Sequence, residues 1–303
     1  MMNLFYQNKL RLLTGGILAL CIPLFRLDVA FANLITETVQ RLETRGLTIE
    51  EIHGESVTLN GKSAQVGEIL KVGDQINTGQ NTVVNLRVDS YIGLVEVAEN
   101  TTVEVKTLAG EVGINPNQIT VLSVTAGQVR LSVSRFVSSP FWSETIPENQ
   151  RQTSVTNSPF RIETPTTIIG VRGTTFGVNV SPDGKTAIHT IEGTVGVVNA
   201  GEEVRLEKGQ VAIVNSAEKP TPIDNIPPIS QLRVRSLTRL GLETVQLRGT
   251  VDPMDLVYIN NQPIQTDAEG NFDFIGRLPV SQRLQVTVRG PSVRERFYVI
   301  AVP

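Results

Sequence analysis

Cysteine is almost missing from this sequence: Cys21 is the only one in 303 residues. It lies in an apolar run near the N-terminus. Once that run is removed, the chain holds no disulfide, no thiolate nucleophile and no cysteine metal site. Histidine is nearly as scarce, and His53 and His189 are far apart in sequence. A Ser–His–Asp triad needs a histidine beside an activated serine, and no G-x-S-x-G elbow marks such a serine here. A zinc centre normally takes three or four His, Cys or carboxylate ligands, more than two isolated histidines supply. Phosphate-loop and dinucleotide fingerprints are also missing. The formal net charge is −3 with a pI near 5.6 and no basic stripe, which gives no electrostatic case for nucleic acid or anionic lipid as partner. These absences predict a protein that is not an enzyme and has no cofactor and no metal. Two carboxylates brought together by the fold, as in a glycosidase, are the one catalytic arrangement that spacing does not exclude.

What is abundant is Val, Ile, Leu and Thr, with 25 glycines, a composition that suits pleated strands joined by tight turns. With 40% hydrophobic and 19% charged residues the chain reads as globular, long enough for one large or two modest domains. Lys9 and Arg11 precede an apolar run from Leu12 to Phe25, followed by Ala30-Phe31-Ala32. This is the basic segment, short apolar core and A-x-A site of a secretory signal. The run contains Gly15, Gly16 and Pro23 and is shorter than the ~20 residues that span a bilayer. The expectation is a signal peptide over residues 1–32, cleaved after Ala32, and export to the periplasm or cell surface with no membrane insertion afterwards. Anchoring in the inner membrane through an uncleaved N-terminal segment is the competing reading. A lipoprotein signal would use Leu18-Ala19-Leu20-Cys21, where Leu20 is larger than the small residue expected before the cysteine.

Leu34, Ile35, Val39 and Leu42 fall near helical spacing, predicting a short helix at about 34–47. From Ile52 to about Ala217 the signal is strands and turns. Val84, Leu86 and Val88 alternate with polar residues, as do Val129, Leu131 and Val133, and Phe176, Val178 and Val180; each set puts one apolar face against a core. Asn60-Gly61, Val72-Gly73-Asp74 and Asp183-Gly184 mark turns, the last between two strand-like runs. A glycine-led strand, turn, strand and second glycine turn recurs at Gly54–Asp74 and again at Gly193–Gln210, as in stacked short strands of a roll or β-solenoid.

Residues 138–159 read as a long surface loop carrying Phe141 and Trp142, the only tryptophan. The two rings either anchor a partner or tuck the loop onto its own domain. Lys219-Pro220-Thr221-Pro222 and Ile226-Pro227-Pro228 predict a stiff linker over 218–228. Short strands around 245–249, 257–260, 272–274, 284–288 and 297–302 then predict a second, smaller β domain over 229–303. Asp267, Glu269, Asn271 and Asp273 are the one local run of oxygen ligands, but without the glycine and terminal glutamate of an EF-hand; a hairpin with polar residues outward is the preferred reading.

Thr164-Pro165-Thr166-Thr167-Ile168-Ile169-Gly170-Val171-Arg172-Gly173-Thr174-Thr175-Phe176-Gly177-Val178 resembles the signature of the FecR domain family. Val72-Gly73-Asp74-Gln75-Ile76, Ala126-Gly127-Gln128-Val129, Glu192-Gly193-Thr194-Val195 and Glu207-Lys208-Gly209-Gln210 follow the order of that family. The likeness covers roughly Leu34 to Ala217, so the FecR-like domain is placed at 33–217. Within the signature, Arg172-Gly173 offers a sharp turn or bulge, and Arg172 either pairs with a carboxylate such as Glu163 or meets a ligand anion. Regulators of this family place a cytoplasmic segment ahead of a transmembrane helix, and about eleven residues before the apolar run are too few for one. Val251 to Phe274 looks like a bacterial immunoglobulin-like domain.

The resemblance therefore implies an all-β protein, a FecR-like β-roll or short β-solenoid followed by a small immunoglobulin-like β-sandwich. Its expected work is binding and scaffolding: an exported, non-enzymatic module contacting another envelope protein. The alternatives are a module binding cell-wall glycan and a signal-sensing component acting through a separate membrane regulator. Candidate contact residues are Phe141, Trp142, Arg151 and Arg172.

Overall fold

The computed structural model describes residues 45–88, 93–110, 118–133, 155–171, 173–224, 230–292 and 295–303. Among them the regular structure is β throughout, apart from one 3-10 turn at Val155–Asn157. Of the helix expected over 34–47, only residues 45–47 fall in this set, and they are not helical. Leu47 opens the first strand because it and Ile49 both point into the core. Arg45 is buried beside them and donates to Ala109 O (2.6 Å), Ile119 O (2.9 Å) and Thr120 Oγ1 (2.8 Å).

The first module begins with β1 (Leu47–His53), β2 (Val57–Leu59), β3 (Lys62–Ser63), β4 (Ile69–Leu70) and β5 (Gln75–Thr78). It continues through β6 (Val83–Val88), β7 (Gly93–Val97), β8 (Thr102–Ala109) and the long β9 (Ile119–Val133). Next come β10 (Phe160–Glu163), β11 (Ile168–Val171), β12 (Thr175–Val180) and β13 (Thr186–Glu192). β14 (Val195–Asn199), β15 (Glu202–Leu206), β16 (Val211–Val214) and β17 (Thr221–Ile223) complete it. Two sheets result. Sheet 1 runs β4-β1-β6-β7-β9-β12-β13-β16-β17. Sheet 2 runs β3-β2-β5-β8-β9-β10-β11-β14-β15. The pairings are antiparallel except β9 with β10. The three alternating sets read from the sequence all enter the one core between these sheets, joined by Phe160, Ile162 and Val197. Within the expected linker, Thr221–Ile223 adds the edge strand β17, a place where Pro222 needs no N–H to donate.

The recurrence seen in the sequence has a physical cause. At 65–68, 71–74 and 207–210 the fourth N–H closes on the first carbonyl, at 3.3, 3.0 and 3.0 Å. The fourth side chain turns back to accept from the first N–H: Glu68 to Gln65 (3.0 Å), Asp74 to Lys71 (2.7 Å), Gln210 to Glu207 (2.8 Å). The third residue is a glycine with φ between +85° and +91°, as a type II turn requires. All three turns stand where the chain crosses from one sheet to the other.

β9 belongs to both sheets. Its first half pairs with β8 and β10, and its second half with β7 and β12. The change falls at Gly127, which has φ +89°; a Cβ there would meet Thr101 Oγ1 at 2.3 Å and Asn100 O at 2.6 Å. Gly127→Ala is expected to cost about 1–3 kcal/mol through left-handed strain and overpacking. In urea this reads as a lower unfolding midpoint at unchanged slope.

The second module comprises β18 (Arg233–Arg239), β19 (Thr244–Thr250), β20 (Leu256–Ile259) and β21 (Gln262–Ile264), then β22 (Asn271–Arg277), β23 (Arg283–Arg289) and β24 (Glu295–Ala301). Sheets β18-β19-β22 and β21-β20-β23-β24 share a second core containing Leu247, Ile259, Phe272, Phe274, Leu284 and Val286. Both modules lie within one compact unit, Arg45–Pro303.

Candidate functional site: the docking face of sheet 1

Strand β12 sends Phe176, Val178 and Val180 into the core, so Gly177 and Asn179 point out of sheet 1. Outward positions of a strand normally meet water. These two are buried, Asn179 to 1% exposure, because the second module sits on them. Gly177 is where the approach is closest: a Cβ would lie 1.5 Å from Pro291 O. Only a residue without a side chain lets that carbonyl reach the strand.

The neighbouring outward side chains of sheet 1 supply donors. Asn179 Nδ2 donates to Met254 O (3.1 Å) and Arg289 O (3.0 Å). Its cross-strand neighbour Gln128, wholly buried, donates from Nε2 to Asn179 Oδ1 (2.8 Å) and Gly290 O (2.5 Å). Arg130 Nη2 reaches Ser292 O (3.3 Å), while its Nη1 holds Glu96 (2.8 Å). From the turn of the β12–β13 hairpin, Lys185 Nζ donates to Thr266 Oγ1 (2.6 Å), Asp267 O (2.9 Å) and Thr266 O (3.4 Å). The apolar part is small: Met254 packs on Ala187, Val211 and Ile213.

One ion pair crosses the contact. Arg289 Nη2 meets Glu99 at 2.8 Å, with the side chains 7% and 15% exposed. Arg289 Nε holds Glu295 at 2.7 Å, and the guanidinium lies 5.5 Å from the centre of the Tyr258 ring, a cation–π distance. Burial works against the charge of Arg289, but the hydrogen bond and charge of Glu295, with Tyr258 and Glu99, outweigh it and hold its pKa above the ordinary arginine value. Burial pushes the Tyr258 phenol up to about 12. Burial also lowers the Lys185 pKa, against the attraction of Asp183, Asp267 and Glu269. At the margin a cleft of about 520 Å³ opens, lined by His53, Asn81, Glu96, Arg130, Arg289 and Glu295 among others.

Asp267 is held by the Asn271 side chain (2.9 Å) and by the backbone N–H groups of Asn271 (2.7 Å) and Glu269 (3.0 Å). The Asn271 contacts, the Glu269 N–H and nearby Lys185 keep its pKa below the ordinary 3.8. A carboxylate with a depressed folded-state pKa contributes stability above its unfolded pKa, and that contribution is lost as the pH falls through the folded value. Acidification below pH 3.8 is therefore expected to loosen this hairpin and the carbonyl it offers to Lys185. Proteolysis across 219–230 should rise in that window, and in Asp267→Asn it should lack the acid limb.

Phe141, Trp142, Arg151 and Arg172, and with Arg172 its expected pairing to Glu163, lie outside the described residues. The oxygen run 267–273 is a hairpin, as preferred: Asp267 and Asn271 bond each other, and Asp273 is taken by Gln246 and Arg248. Among the described residues no group of three or more His, Cys, Asp or Glu side chains could hold a metal. His53 is exposed at the cleft, 3.2 Å from Glu51. Gly177, Gln128, Asn179 and Lys185 were missed by sequence reasoning. The available signal was Gly177 itself, an isolated glycine inside an alternating strand, which marks close backbone approach.

Sheet pairing and site together define an all-β protein of two modules, the first docking the second through the outer face of one sheet. Residues 148–196, which include β12 and its docking glycine, match the family described as FecR protein. Two crystal structures of a protein provisionally assigned as an anti-sigma factor from Parabacteroides distasonis are similar at 17% identity, with TM-scores of 0.36 and 0.35. Each likeness covers 50% of this chain and 59% of the other, so less than two thirds of that protein's length is spanned. No curated protein matches the chain.

Proposed function

We propose that this chain is an exported, non-enzymatic binding and scaffolding protein of the cell envelope, with protein partners in a signal-regulatory setting. The observation that carries this reading is the outer face of sheet 1. Its side-chain donors and its side-chain-free strand position are spent on holding another β module, which is recognition between protein surfaces and not chemistry on a small substrate. The FecR match over 148–196 supports a regulatory, envelope-associated role, and the basic, apolar and A-x-A segments before residue 33 support export. We read the second module as immunoglobulin-like: its first, second and fifth strands form one sheet and its third, fourth, sixth and seventh the other, a division close to that of immunoglobulin domains. The test is an in-cell crosslink of tagged full-length protein, with mass spectrometry of the mature N-terminus and of whatever is attached. A start at Asn33 with a specific envelope protein bound supports the proposal. An intact N-terminus on a protein crosslinked to nothing, or to cytoplasmic proteins alone, overturns it.

A further inference from the structure

The donors on sheet 1 share one kind of target. Gln128, Arg130, Asn179 and Lys185 reach across to the main-chain carbonyls of Gly290, Ser292, Met254, Arg289, Thr266 and Asp267. The dock thus reads mainly the course of the sandwich's backbone, with Met254, the Thr266 hydroxyl and Arg289 adding to it and Asn261 and Gln265 bonding Gln80 and Asp183 at its rim. Two features make this contact releasable. Its apolar part is one methionine on three aliphatic side chains, so separation exposes little apolar surface, as at interdomain contacts that open and close. It is also incompletely satisfied: Gln128 Oε1, Arg130 Nε and Arg289 Nη1 are buried and find no hydrogen-bond partner among the described residues, and buried polar atoms left unpaired weaken an interface.

We propose that the dock is exchangeable, and that the outer face of sheet 1 accepts the C-terminal sandwich of a second copy of this chain. Six residues, 224–229, separate β17 from Ser230, and they span at most about 20–22 Å. That tether holds each sandwich beside its own dock at an effective concentration on the order of millimolar, so the closed monomer prevails until the dock of that copy is blocked or occupied. Exchange then links copies head to tail, or closes two into a reciprocal dimer. This inference rests on the binding-module reading and names a partner for it. It is decided with purified chain alone, so its failure would leave an envelope partner found by crosslinking untouched.

The experiment mixes two full-length variants with different tags. Gly177→Val spoils the dock and keeps the sandwich; Met254→Glu keeps the dock and sets a charge against Ala187, Val211 and Ile213. Ser292→Trp serves as a second sandwich-side block should Met254→Glu unfold, with circular dichroism and thermal melts as the check on folding. Each variant alone is expected to sediment as a monomer at micromolar concentration, and the mixture to give a species of twice the mass retaining both tags. A mixture of folded variants that stays monomeric overturns the proposal, as does self-association of either variant alone, which would place the contact elsewhere.

Discussion

Valine at position 177 is expected to release the sandwich while leaving the first module folded. The backbone of Gly177 is an ordinary strand conformation, so a side chain imposes no strain on β12 itself. The obstacle is across the interface, where the first carbon of any side chain would fall 1.5 Å from Pro291 O. Neither partner is the end of a flexible side chain, so the strain of overpacking, about 1–3 kcal/mol in a core that can still adjust, is relieved here by separation of the two modules. With the contact go the carbonyl bonds of Gln128 and Asn179 and the Arg289–Glu99 pair. In small-angle scattering the variant should show a larger radius of gyration, and calorimetry should resolve two transitions where the parent shows one. A single transition and an unchanged radius would mean that the glycine does not govern docking.

One residue earlier the expected effect is of another kind. Phe176 is wholly buried, on the opposite face of the same strand. Phe176→Ala removes an aromatic ring from the middle of sheet 1 and leaves a cavity, at about 3–5 kcal/mol, against a total stability on the order of 5–15 kcal/mol for a domain. In the Gly177→Val background, where the modules unfold separately, adding Phe176→Ala should move the first module's urea transition to much lower denaturant while the sandwich transition changes little. If both transitions fell together, the two cores would be a single cooperative unit. Adjacent residues of one motif thus separate the two roles, one holding the module together and the other holding its neighbour.

Much of the fold was readable from alternation. The sets at 84–88, 129–133 and 176–180 reported their core faces because a period of two on a half-buried sheet leaves few other arrangements. The glycine turns were readable because a positive φ selects glycine at one position and an acceptor side chain follows it. β9 was not readable as one strand, since Ala126-Gly127 looks like a stop and only the partners on either side show that pairing continues through it. The docking face was less legible still. Outward Gln128 and Asn179 look like solvated strand residues, and what buries them comes from far along the chain: the bond from Gln128 to Gly290 spans 162 residues. The dock works through glycine, amides, a lysine and two arginines, types that are ordinary anywhere on a surface. Gly177 was the exception, and its meaning depended on knowing which face of β12 was already committed to the core.

The sharing of β9 also bears on the order in which this protein is assembled. Strands β1 to β8 pair along one side of it and β10 to β17 along the other, in both sheets at once. Neither flank closes a sheet without that central strand, and the strand itself has only half its neighbours until the later residues arrive. A chain synthesised N-terminus first therefore carries unpaired strand edges until β12 has followed β9. For that interval it is open to chaperones, proteases and edge-to-edge association, and the speed at which the later strands arrive, as much as final stability, sets the yield of folded protein.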